Sequence, residues 1–110
     1  MSAANEVNPV DVLVSQHFNR LSPAEAERLA LLAEELGETM QAIGKVLRHG
    51  YESTHPDGGP TNRESLEREC GDVRHAMIRL CGAGDLSKQA IHDRANTKAV
   101  HVTRYLHHAG

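Results

Sequence analysis

The chain has 110 residues, of which 39% are apolar, 25% charged and only 3% aromatic, and it carries a net charge of −3 at pH 7. That length allows one domain spanning residues 1–110, and the shortage of cations excludes a nucleic acid polymer as a partner bound through surplus Lys and Arg, while leaving room for a small phosphorylated ligand. A core of Leu, Ala, Ile, Val and Met favours helix packing over a β-sandwich, and without a signal peptide or an apolar run of about 18 residues the expected setting is cytoplasmic, with no membrane partner.

Residues 1–8 are polar and read as flexible. "PVDVLVSQHFN" (9–19) reads as a short N-terminal helix with Val12, Leu13 and Phe18 inward. The clearest element follows, "SPAEAERLALLAEELGETMQAIGKVLRHG" (22–50). Ser22 is placed to cap it, Pro23 suits the first helical position, and Glu25 completes a capping box. Gly50 supplies the stop, with Lys45, Arg48 and His49 favourable in the last turns. Leu29, Leu32, Leu36, Met40, Ile43 and Leu47 recur at helical spacing and read as its inner stripe.

Residues 50–62, around "YESTHPDGGPTN", form a loop in which His49 and His55 can touch a ligand or simply face water. Thr61 opens a second helix, with Glu64 at the capping-box position. It runs to about Cys81, with Leu66, Cys70, Val73, Met77 and Leu80 inward. Asp85 is the expected cap of a third helix over 86–107, with Ile91, Ala95, Ala99, Val102 and Leu106 inward. Cys70 and Cys81 fall inside apolar patterns and read as buried thiols rather than a disulfide. The histidines do not make a zinc set, because His107 and His108 are adjacent and cannot share a helical face. The expected fold is therefore all-α: an antiparallel bundle of three long helices plus the short N-terminal one, completed by homo-oligomerisation.

Two acidic pairs break this pattern. With Leu36 as the centre of the first stripe, Glu35 lies about 100° away and Glu38 about 160° away on the same side. Leu31, Ala42 and Val46 share that second face, and a helix apolar on two faces is sandwiched between partners. Glu34 falls nearly opposite Leu36 and reads as wetter. On the second helix, Glu69 is only about 40° from the apolar axis through Val73, with Asp72 beside it. A carboxylate on a core stripe is costly unless paired, protonated or metal-bound. Each pair projects from one face at i and i+3 spacing, so antiparallel packing would let Glu35, Glu38, Glu69 and Asp72 converge. A hard divalent cation relieves their repulsion, and an all-oxygen set selects Mg²⁺, with Mn²⁺ as a substitute.

"EELGE" (34–38) followed by "ECGD" (69–72) resembles the E-E-x-x-E … E-x-x-D signature of the all-α nucleoside triphosphate pyrophosphohydrolases, the MazG-like superfamily. The resemblance covers roughly residues 22–107. It implies a Mg²⁺-dependent enzyme that cleaves a nucleotide between its α- and β-phosphates, giving a monophosphate and pyrophosphate. By position, Glu35, Glu38, Glu69 and Asp72 would ligate the metal, with Glu35 and Glu38 also in the catalytic set. Glu34 would orient water or a ligand and is the candidate general base. The family's K-x-x-K-N-x-x-R stretch corresponds to "RANTKAVHVTRY", where Lys98 and Arg104 stand as equivalents, Val102 is near the expected Asn and Asn96 lies earlier. Arg94, Lys98 and Tyr105 lie along one flank of the third stripe, so with Arg104 they are the expected substrate-binding residues. The resemblance also implies a homodimer or homotetramer. The alternatives are phosphoribosyl-ATP pyrophosphohydrolase activity, or a non-catalytic helical dimerisation or adaptor module.

Overall fold

The computed structural model describes residues 19–108, so the short helix expected over 9–19 lies almost wholly outside the described residues. Within them the chain is all-helical, with no strand: α1 spans Pro23–His49, α2 Asn62–Gly82 and α3 Lys88–Val102. None of these helices is long and apolar enough to cross a membrane.

The expected start of α1 holds in detail. The Ser22 hydroxyl accepts from the Glu25 N–H at 3.1 Å, and the Glu25 carboxylate accepts from the Ser22 N–H at 2.9 Å. The same reciprocal box forms at α2 between Thr61 and Glu64, at 3.1 and 3.0 Å. Each box satisfies two amide donors that a helix start otherwise leaves unpaired. Gly50, at φ 85°, ends α1 in a conformation that favours glycine.

α1 and α2 pack as an antiparallel pair, and they form the main tertiary contact. Their direction follows from two links. The Arg28 guanidinium near the start of α1 makes a two-pronged pair with Asp85 just past the end of α2, at 2.6 and 3.1 Å. At mid-length the Thr39 hydroxyl donates to the Glu35 carbonyl at 2.7 Å and lies 3.4 Å from the Glu69 carbonyl across the interface. At the loop end the Asn62 amide donates to the Gly50 carbonyl, and the Arg63 N–H to the Tyr51 carbonyl.

The packed face of α1 differs from the one the leucine spacing predicts. Leu29, Leu36, Met40, Ile43 and Leu47 are exposed, Met40 at 73% and Leu47 at 82%. The face turned inward carries Leu31, Leu32, Glu35, Thr39, Ala42 and Val46, which are buried or half-buried. In a two-helix layer only one stripe can be covered, and the small side chains of Thr39 and Ala42 let the backbones approach on that side. α2 turns Leu66, Glu69, Val73, Ala76, Met77 and Leu80 inward, with Ala76 and Leu80 the most buried.

α3 corrects three further expectations. Its cap is Ser87, whose hydroxyl accepts from the Ala90 N–H at 3.1 Å. Asp85 cannot serve, because its carboxylate is committed to Arg28. The helix ends at Val102 rather than near 107, so Arg104 and Tyr105 fall in the turn beyond it. Ala95, Ala99 and Leu106 are exposed, and α3 does not cover α2 as a third bundle helix would. For the same reason Cys70 is exposed and Cys81 only half-buried, both as free thiols. They stand three turns apart on α2, about 16 Å, which rules out a bond between them. The groove they line with Val73, Met77 and Ile91 has a volume of about 630 Å³.

Candidate metal centre

The helix pairing carries out the convergence that the two acidic pairs imply. Glu35 and Glu38 on α1 meet Glu69 and Asp72 on α2 near the middle of both helices, and one carboxylate oxygen from each lies within 4.8 Å of the others. Glu35 and Glu69 are half-buried on the packed faces, while Glu38 and Asp72 stand at the solvent edge. Four carboxylates so close are electrostatically opposed.

Two observations bear on whether a cation fits. Glu35 Oε2 and Glu69 Oε2 are buried, and neither has a hydrogen-bond partner. A buried anionic oxygen without a donor is costly unless it is protonated or coordinated. The donor set is also uniform, four carboxylates with no histidine or thiol, which is the chemistry of a hard divalent ion such as Mg²⁺ or Mn²⁺. The residues fit such an ion on both counts.

Burial pushes the Glu35 carboxyl above its usual range, reinforced by the charges of Glu38, Asp72, Glu34 and Glu69. Glu38 is raised likewise, by burial first, then by Glu69 through both charge and hydrogen bonding, then by Asp72.

The remaining expected residues are placed elsewhere. Glu34 is exposed and lies outside the four-carboxylate group. It lines a groove of about 490 Å³ with Arg28, Leu31, His75 and Arg79, while still acting on Glu35 through its charge. Arg94, Lys98, Arg104 and Tyr105 are all exposed, on α3 or just past it, and none forms an ion pair or side-chain hydrogen bond with α1 or α2. The structure thus assembles the four expected ligands and leaves the expected substrate cations apart from them.

Two residues that position the site escape the acidic motif. Thr39, one turn after Glu35, occupies the packed face between the helices; a hydroxyl at i+4 from an acidic residue on an apolar flank is its sequence signal. Arg28 fixes the register from two turns away, and its partner lies 57 residues on, beyond the reach of any local pattern. Compared with known proteins, the chain matches no family model, no curated protein and no solved structure.

Proposed function

We propose that this protein is a Mg²⁺-dependent nucleotide pyrophosphohydrolase of the MazG-like kind, cleaving a nucleoside triphosphate or deoxynucleoside triphosphate between its α- and β-phosphates. One observation carries the reading: four carboxylates from two helices converge within 4.8 Å, with two buried oxygens lacking any donor. An adaptor helix pair has no use for charge concentrated inside its own packed face, where it weakens the fold. Glu35, Glu38, Glu69 and Asp72 would hold the cation. When bound, Mg²⁺ supplies charge neutralisation for phosphate oxygens and a lowered pKa for coordinated water.

The chain's own groups have separable parts in this reading. Glu35 and Glu69 anchor the ligand set from the packed faces, held apart at a fixed separation by the helix pair. Glu38 and Asp72, at the wet edge, face an arriving phosphate. Glu34 sits outside the ligand set on the adjoining turn, where it can accept a proton from a water and orient it. Cations of α3, Arg94 and Lys98 foremost, would come to the phosphates from a neighbouring subunit or by a change in how α3 lies.

The test is pyrophosphate release over a panel of nucleoside triphosphates, deoxynucleoside triphosphates and phosphoribosyl-ATP, in Mg²⁺, Mn²⁺ or EDTA. Release in Mg²⁺ from at least one substrate, lost in EDTA and in Glu38→Ala, is the expected result. No release from any of them, with Mg²⁺ affinity unchanged in Glu38→Ala, would remove the proposal. Release from phosphoribosyl-ATP alone would reassign the substrate and keep the site.

Homo-oligomerisation belongs to the same reading. The stripe of Leu29, Leu36, Met40, Ile43 and Leu47 lies outside the helix pair, and an exposed apolar run of that length is an interaction surface. A second copy of the chain is the proposed cover. Sedimentation equilibrium at micromolar concentration should give a dimer or tetramer, and Leu36→Glu with Met40→Glu should give a monomer. A monomeric parent chain would dismiss the assembly.

A further inference from the structure

Two turns from the carboxylates toward the loop, the same face of the helix pair changes character. Lys45 follows Glu38 by seven residues, and Ser65 precedes Asp72 by seven. Each is displaced about 10 Å along its helix and only about 20° around it. Both line a cavity of about 510 Å³ with Arg48, His49, Ser53 and Thr54, and no acidic side chain contributes to its wall. Among the described residues the ion pairs are Arg28–Asp85, His55–Asp57 and Arg63–Glu52, so Lys45 and Arg48 have no carboxylate partner. Most Lys and Arg of the chain are unpaired in the same way; what sets Lys45 and Arg48 apart is that they stand one turn apart on α1 and share one cavity whose lining holds no carboxylate.

The loop that supplies the rest of the lining is held by its own bonds. The Asn62 N–H donates to the Ser53 carbonyl at 2.9 Å, the Asn62 side-chain amide donates to the Gly50 carbonyl at 3.0 Å, and the Gly58 N–H donates to the His55 carbonyl at 2.8 Å. The hydroxyl-bearing side chains of Ser53, Thr54 and Ser65 line the same cavity. Cations and hydroxyl donors around a cavity of this size suit an anion with several oxygens on more than one centre, because charge-assisted bonds from Lys and Arg are the strong ones.

We propose that this cavity is a polyphosphate subsite, in which Lys45, Arg48 and the loop hydroxyls hold the phosphate chain of a nucleotide. Binding of the anion needs nothing from the carboxylates. Its further role rests on the pyrophosphohydrolase reading: the subsite fixes the phosphate chain at one end while the acidic cluster, two turns along the same face, engages the other.

Inorganic tripolyphosphate titrated in EDTA, followed by amide NMR, isolates the subsite from metal and from turnover. Shifts should concentrate at residues 45–55 and 62–65. Affinity should fall at least tenfold in the Lys45→Ala/Arg48→Ala double variant and stay unchanged in Arg68→Ala/Arg74→Ala, which removes two exposed cations of α2 outside the cavity. Shifts centred on α3, shifts scattered over the surface, or equal affinity in the Lys45/Arg48 variant would overturn the proposal. Both side chains are exposed, so the double variant should keep its helical circular dichroism; the wild-type shift map decides the matter even if it does not. Tripolyphosphate binding here without nucleotide turnover would remove the hydrolase and leave the subsite. Turnover without binding here would do the reverse.

Discussion

Glu69→Gln should raise the melting temperature of the metal-free protein by a few degrees and cut Mg²⁺-dependent pyrophosphate release by at least about 100-fold, the scale at which even an outer partner of a metal ligand is felt. The two effects have opposite signs for one reason. Glu69 faces inward on α2 with a buried oxygen that nothing donates to, beside three other carboxylates. Glutamine keeps the volume, removes one of four mutually repelling charges and brings an amide that can donate to Glu38. The apo fold therefore gains, and the cation loses a ligand. An ordinary core residue would lose stability on replacement, and an ordinary surface glutamate would change neither quantity. Differential scanning fluorimetry in EDTA and a pyrophosphate-release assay in Mg²⁺ measure the two halves. A lower melting temperature with activity intact would sink the account of the site.

The second large effect is a dependence of stability on pH that Mg²⁺ reverses. Glu35 and Glu38 have folded-state values raised above 4.5, so between 4.5 and those elevated values the folded chain binds more protons than the unfolded one. Their contribution is fully present below 4.5 and is lost as pH rises through the folded values. Asp85 behaves oppositely: hydrogen bonding to Arg28 lowers it below 3.8, so its contribution is present above 3.8 and is lost as pH falls through the depressed value. In EDTA the melting temperature should therefore peak on the acid side and decline toward neutrality. Mg²⁺ competes with the protons for the same oxygens, so its stabilising effect should grow with pH from about 4.5 upward. At a hundredfold excess over Kd the gain should be on the order of 10 °C at neutral pH. Superimposable melting curves with and without Mg²⁺ from pH 4 to 8 would dismiss a metal at this site.

The helices were legible in the sequence because their signals are local. Capping boxes at Ser22–Glu25 and Thr61–Glu64 mark two starts, and the structure keeps both. The carboxylate convergence was legible because i, i+3 pairs on two faces need only an antiparallel hairpin to meet. Both apolar faces of α1 were legible too, but not which of them meets α2. Counting leucines selected the Leu36 stripe, yet closeness of approach is set by small residues, and Thr39 and Ala42 lie on the other side. The third helix failed through competition: Asp85 has the right chemistry for a cap, but Arg28, 57 residues away, takes the carboxylate first. No reading of neighbours reveals such a claim. With α3 not covering the pair as a third bundle helix would, nothing in residue spacing says how Lys98 or Arg104 would reach a phosphate.

The Arg28–Asp85 pair and the loop bonds at Gly50 and Tyr51 stand at opposite ends of the hairpin, with the acidic cluster midway between. Mechanically this is a beam clamped at both ends and pushed apart at its centre. The clamps oppose any spreading of the centre under its own repulsion, and one oxygen from each carboxylate stays within 4.8 Å of the others. On the proposed reading, a cation entering such a frame would have little rearrangement to drive, and most of its binding free energy would be left for holding the ion and whatever the ion itself holds.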